Sequence, residues 1–87
     1  MKAGDKPGGK IATPIREMLK SDLYNGVAFQ CVDEEHAETT RIAALTLRLR
    51  NNYEYKTTRN QNVMTVYKDG YEYEPMVFNV ALEKKNI

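Results

Sequence analysis

The stretch YEYKTTRNQNVMTVYK, which runs from Tyr53 to Lys68, decides the fold of this 87-residue chain. Aromatic and β-branched residues alternate with charged and polar ones on both sides of the polar segment RNQN. Alternation with a period of two is typical of strands that bury one face. The pattern therefore predicts a β-hairpin with strands 53–58 and 63–68 and a turn centred on Asn60 and Gln61.

The predicted turn sorts the hairpin side chains into two faces. It places Tyr55 opposite Val66 and Thr57 opposite Met64, and directly opposed side chains lie on the same face of a ribbon. The more apolar face is expected to pack on a helix and carries Tyr53, Tyr55, Thr57, Met64, Val66 and Lys68. The more polar face is expected to meet solvent or a partner and carries Glu54, Lys56, Thr58, Val63, Thr65 and Tyr67.

The segment before the hairpin predicts a helix over residues 34–50. Asp33 is a favourable N-cap because its side chain can accept from a free backbone N–H of the first turn. Acids in the first turn and bases in the last turn complement the helix dipole. The residues in these positions are Glu34, Glu35, Arg48 and Arg50.

Apolar residues of the same segment fit two patterns. Ile42, Leu45 and Leu49 form a stripe with helical spacing, which predicts the buried face of the helix. Residues 45–50, LTLRLR, also alternate strictly, as a strand would. The capping signals favour the helix, in which Leu47 falls off the stripe and is expected to be partly exposed or in an interface.

Shorter patterns predict three further elements. TPIREMLKS predicts a helix over 14–20, with Thr13 as N-cap and Pro14 at the first helical position. VAFQCV predicts a buried strand over 27–32. The alternation in MVFNVAL predicts a last strand over 76–82, with a helix after the preceding proline as the alternative.

Together these elements predict a small two-layer α+β domain. The order is α-β-α-β-β with a further C-terminal strand, and the long helix packs on an antiparallel sheet. Residues 1–10 are rich in lysine and glycine and predict a flexible basic arm, which leaves 11–87 as a single domain. The chain has one cysteine, and its first ten residues contain no apolar run. We therefore expect a cytoplasmic protein that has no disulfide and no membrane segment.

Charge is distributed unevenly along the chain, although the net charge is only +1. Residues 41–68 hold six Lys or Arg side chains and one acid, whereas residues 21–40 hold five acids and no Lys or Arg. Segregated charge of this kind is typical of a nucleic-acid-binding face. The dipole of helix 34–50 favours the same distribution, so charge alone does not establish a ligand.

The reactive side chains do not form a catalytic or metal-binding pattern. His36 is the single histidine, and with Cys31 it falls short of the four ligands of a closed zinc site. Cys31 shares an apolar strand face with Val27 and Phe29, where a thiol is usually inert. The glycine-rich segment KPGGK lacks the spacing of a phosphate-binding loop. We expect no enzymatic activity, no cofactor and no metal.

The order of elements over residues 14–68 resembles short accessory proteins encoded by phages and prophages. The similarity lies in IREML, in GVAFQ after an Asn-Gly turn, and in YKTTRNQNVMTVYK after an Arg-tipped helix. The resemblance implies a small non-catalytic binding protein that acts in the host cytoplasm, either by contacting DNA or by inhibiting host machinery.

Two functions follow as hypotheses. The first is a nucleic-acid-contacting accessory protein, in which the basic side chains hold phosphates and one ring stacks on a base. Its contact residues would be Lys56, Arg59, Tyr67, Arg48 and Arg50. The alternative is a protein-interaction module, either an inhibitor of a host protein or a homodimeric regulator. Its contact residues would be Leu47, Glu34, Glu35, Tyr71 and Tyr73.

Overall fold

A computed structural model describes residues 8–71 and 76–82, and it has the α+β architecture that the sequence predicts. The described chain forms two helices and four strands. In order they are α1 (Gly8–Lys20), β1 (Gly26–Gln30), α2 (Glu34–Asn51), β2 (Tyr55–Asn60), β3 (Val63–Lys68) and β4 (Val77–Ala81).

The strands form one sheet in the order β2-β3-β1-β4. β3 is antiparallel to both β1 and β2, so β1, α2 and β2 form a crossover unit with β3 inserted between its strands. β4 confirms the expected last strand but runs parallel to β1. The sheet is therefore mixed, and the prediction of an antiparallel sheet was wrong. Alternation reveals that a segment is a strand, but it carries no information on the neighbour or its direction.

The hairpin has the predicted faces in a different register. Tyr55 lies opposite Lys68 and Thr57 opposite Val66, which is a displacement of two residues from the prediction. The turn falls at Gln61 and Asn62 because Gln61 adopts a left-handed conformation with φ 57°. A displacement of two preserves the side-chain alternation, so Tyr55 and Thr57 stay on the helix side of the sheet.

The predicted strand 53–58 was wrong at both ends, since β2 begins at Tyr55 and extends to Asn60. One cause lies in the hydrogen bonds of Asn62. Its side-chain amide donates to the carbonyl of Cys31 at 2.7 Å, and its own carbonyl accepts from the Cys31 amide at 2.9 Å. These bonds fix the turn against the end of β1.

Helix α1 begins at Gly8, six residues before the predicted start, so Thr13 is not its N-cap. Pro14 lies inside the helix, where it cannot donate a backbone hydrogen bond. The turn before Pro14 nevertheless forms because it extends the buried apolar face: Ile11 and Ala12 are buried together with Ile15. Residues 8–10 of the predicted arm belong to this helix, and residues 1–7 lie outside the described part of the chain.

Both helices cover the same face of the sheet, and the core lies between the two layers. α1 contacts α2 and β1, while α2 contacts β2 and β3. The predicted strand 27–32 is confirmed over residues 27–30, of which 27–29 are buried, but β1 ends at Gln30 and Val32 is exposed. The largest fully buried side chains are Phe29, Ile15, Met18, Met64, Val27 and Val66.

Helix α2 has the predicted extent and the predicted N-cap. Asp33 Oδ1 accepts from the His36 amide at 2.7 Å. At the other end Asn52 adopts the left-handed conformation, with φ 56°, and its N–H donates to the carbonyl of Arg48. Caps at both ends satisfy backbone groups that a helix terminus leaves unpaired.

The buried face of α2 differs from the predicted stripe. Ala37, Thr40 and Ala44 face the core, and Leu47 packs against it. Ile42 is 55% exposed, so the assignment of its stripe to the core was wrong. Small residues bring the helix close to the sheet, where larger side chains of the strands and of α1 fill the space.

Candidate interaction surface

The proposed nucleic-acid contact residues do not form one surface. Lys56 and Tyr67 are paired across β2 and β3, on the sheet face turned away from the helices. The ammonium group of Lys56 lies 3.3 Å from Asp69 Oδ1, which offsets much of its charge. Tyr67 is half-buried.

Arg59 belongs to the opposite face of the same hairpin. It lies opposite Met64 because β2 extends to Asn60, and it shares the helix side with Tyr55 and Thr57 because side chains alternate along a strand. Its Nε is 3.2 Å from Glu38 Oε1 on α2. Glu38 also binds Arg41 with an N···O distance of 2.6 Å, and the hydrogen bond from Arg41 is the main reason that the pKa of Glu38 is lowered.

The two arginines at the end of α2 have different surroundings. Arg48 donates from Nη1 to the carbonyl of Tyr55 at 3.0 Å, whereas Arg50 is exposed. An open depression of about 380 Å³ lies beside Arg48, and its walls are Arg48, Tyr53, Glu54, Tyr55, Lys56 and Asp69. The structure thus brings together Arg48 and Lys56 of the predicted set, next to two carboxylates.

The two tyrosines at the start of the hairpin, Tyr53 and Tyr55, make contacts within the fold. Tyr55 is 2% exposed, and its hydroxyl donates to the carbonyl of Ala44 at 2.6 Å. Burial is the main cause that raises the pKa of Tyr55 to about 12. The Tyr53 hydroxyl accepts from Arg16 Nε at 3.1 Å. The ring centroids of Tyr53 and Tyr55 lie 6.3 Å apart. A buried ring cannot stack on a base.

Cys31 and His36 also contribute to local structure. The Cys31 thiol is buried, with its Sγ 3.6 Å from Thr40 Oγ1, and burial raises its pKa. His36 Nδ1 accepts from the Val32 amide at 3.3 Å. Among residues 8–71 and 76–82, no three His, Cys, Asp or Glu side chains converge as metal ligands would. In the same part of the chain, no helix is long and apolar enough to cross a membrane.

The residues of the protein-interaction alternative are also dispersed. Leu47 packs against the core, while Glu34 and Glu35 are exposed in the first turn of α2. Tyr71 is exposed, and Tyr73 lies outside the described residues.

A different apolar surface stands out on α2. Ile42, Leu45 and Leu49 form a row on the side of the helix opposite to its buried face, and we call this row the outward stripe. Leu49 is 75% exposed and Leu45 is half-buried. The row covers two turns, or roughly 10 Å of the helix axis.

The sequence contains the signal for the outward stripe. Helix α2 has one apolar row at Ala37, Ala44 and Leu47 and a second row at Ile42 and Leu49, on opposite sides. A surface helix usually carries charged or polar residues on the side opposite its buried face, so an apolar row on that side is unusual. The sheet and α1 cover one row, which leaves the other available to a partner.

No family model, curated protein or solved structure matches this chain. The candidate surface therefore rests on the exposure, spacing and charge of the α2 residues themselves.

Proposed function

We propose that this chain is a small non-catalytic protein-interaction module that binds a partner protein through the outward stripe. The carrying observation is the exposure of two large aliphatic side chains on one side of α2, Ile42 in the middle of the helix and Leu49 in its last turn. Covering a large aliphatic side chain contributes about 1.5–3 kcal/mol, so a row of three is enough to anchor an interface.

The surroundings of the outward stripe support this role because they fix the position of helix α2. Both ends of α2 are capped, and its other face packs against the core. Glu38, beside the stripe, is held by Arg41 and by Arg59 of β2. A surface that is rigid before binding loses little conformational entropy on association.

Site-specific photo-crosslinking tests the proposal. We expect a photoreactive residue at Thr46, which is exposed beside the stripe, to give a discrete product in an extract of the organism that encodes the chain. The same reagent at Thr58, exposed on the far face of the sheet, is the matched control. Leu49→Arg should abolish the Thr46 product. Equal labelling from both positions, or a product that survives Leu49→Arg, would contradict the proposal.

Nucleic-acid contact is a second candidate, which the depression beside Arg48 and Lys56 favours. Each phosphate contact contributes about one unit to the log–log dependence of affinity on salt. With two cations in one depression, we expect weak binding with a slope of about 2, and a slope about one unit smaller after Lys56→Ala.

Titration of labelled single- and double-stranded oligonucleotides at several salt concentrations measures this slope. Arg59→Ala is the control, because its guanidinium pairs with Glu38 on the other face of the sheet and should leave the slope unchanged. Absence of binding to both probes at low salt would rule out this candidate.

A further inference from the structure

We infer that the outward stripe binds a second copy of this chain, with the two α2 helices antiparallel around a two-fold axis. The inference rests on the proposed function, since it names the occupant of the same surface. Its basis is the arrangement of charge and apolar residues along α2.

Charge along α2 is self-complementary in one orientation. Glu34 and Glu35 are exposed in the first turn and Arg50 is exposed in the last turn, whereas Glu38 is already bound by Arg41 and Arg59. Two copies in parallel would place like charges together, whereas antiparallel copies place the acidic half of each against the basic end of the other. A two-fold interface requires such self-complementarity.

The apolar spacing leads to a specific register. Antiparallel helices can place Ile42 opposite Leu45 of the second copy, and the two-fold axis repeats this pair. In that register Arg50 lies opposite position 37 of the second copy, one turn or less from both Glu35 and Glu38. The same alignment therefore pairs the central apolar residues and brings opposite charges together.

The β2 edge of the sheet is less suited to a second copy than the outward stripe. β2 forms one edge and presents Lys56 and Arg59. Charged side chains on an edge strand disfavour pairing with another strand. Between Ile42 and Leu49 of α2 the one charged residue is Arg48, whose guanidinium is directed to the carbonyl of Tyr55.

Sedimentation across a concentration series tests the dimer. We expect the mass to rise from 10.0 kDa towards twice that value as concentration increases. An interface built on a single helix pair lies at the small end of the size range, so dissociation should fall in the micromolar range or above. Ile42→Arg, which places a charge opposite Leu45 of the second copy, should weaken the dimer at least about tenfold. Leu23→Arg, at a leucine that is 61% exposed outside α2, is the matched control and should not.

Charge reversal tests the orientation. Arg50→Glu and Glu35→Arg should each weaken an antiparallel dimer about fivefold, and a chain that carries both changes should regain the original affinity. Each change also opposes the helix dipole, so damage to the helix alone would make the double variant the worst of the three. Thermal melts of all three variants separate the two effects.

The outcomes distinguish this inference from the proposed function. A 10.0 kDa species at every concentration would overturn the inference that a second copy binds. A crosslinked product between Thr46 and a different protein would still support the proposed function. A dimer that resists Ile42→Arg would overturn the assignment of its interface. Concentration-dependent dimerisation with restored affinity in the double variant would support the antiparallel arrangement.

Discussion

Replacement of Tyr55 by alanine is expected to lower the free energy of unfolding by about 3–5 kcal/mol. The side chain is 2% exposed and fills the space between β2 and α2. Its hydroxyl is also bonded to the carbonyl of Ala44 in the middle of α2. Because a domain of this size has a total stability of only about 4–13 kcal/mol, the loss should shift a denaturant midpoint strongly.

Two control variants separate the parts of this effect. Tyr55→Phe removes the hydroxyl and keeps the ring, so it should cost only about 0.5–1.5 kcal/mol. Tyr67→Ala truncates a half-buried ring on the far face of the sheet and should cost much less than Tyr55→Ala. Urea melts give all three values. A larger loss for Tyr67→Ala would mean that the two faces of the hairpin are interchanged.

The hairpin shows which part of a fold alternation can predict. The side chains that face the core follow from a period of two, and any even displacement of the register leaves them unchanged. The turn position depends instead on the left-handed Gln61 and on the bonds between Asn62 and Cys31. Those bonds join residues 31 positions apart, so local sequence patterns could not reveal them.

Helix α2 shows where periodicity misleads. The sequence predicts its extent and N-cap correctly because these depend on local charge and on Asp33. The row of Ile42, Leu45 and Leu49 was expected to be buried because its helical spacing is typical of a buried face. The row with Ala37 and Ala44 is buried instead, because large side chains of the sheet and of α1 already fill the core.

The predicted contact residues separate for a related reason. Lys56 and Arg59 are three apart in a strand, so they project from opposite faces of the sheet. Arg59 then meets Glu38, which belongs to an element 21 positions earlier in the chain. Basic residues that lie close together in the sequence are therefore not close together in the structure.

Alkaline pH should destabilise the fold through ionisation of Tyr55, the first residue of β2. Burial raises the pKa of Tyr55 to about 12, and Arg48 and Tyr53 make smaller contributions of opposite sign. In the unfolded chain the pKa is about 10. The folded state thus keeps its proton at a pH where the unfolded chain releases it. The stabilisation is fully present below pH 10 and is lost as the pH rises from about 10 to 12.

The expected loss over that interval is on the order of 2–3 kcal/mol, which corresponds to the difference between the two pKa values. Urea midpoints of the natural chain and of Tyr55→Phe, measured at pH 8, 10 and 11.5, provide the comparison. Other tyrosines and the lysines titrate in both chains, so their effects cancel in the difference. Tyr55→Phe should start less stable and lose less with rising pH, so the two curves should converge and then cross. Parallel curves would show that the phenol of Tyr55 is ionised as easily in the folded protein as in the unfolded chain.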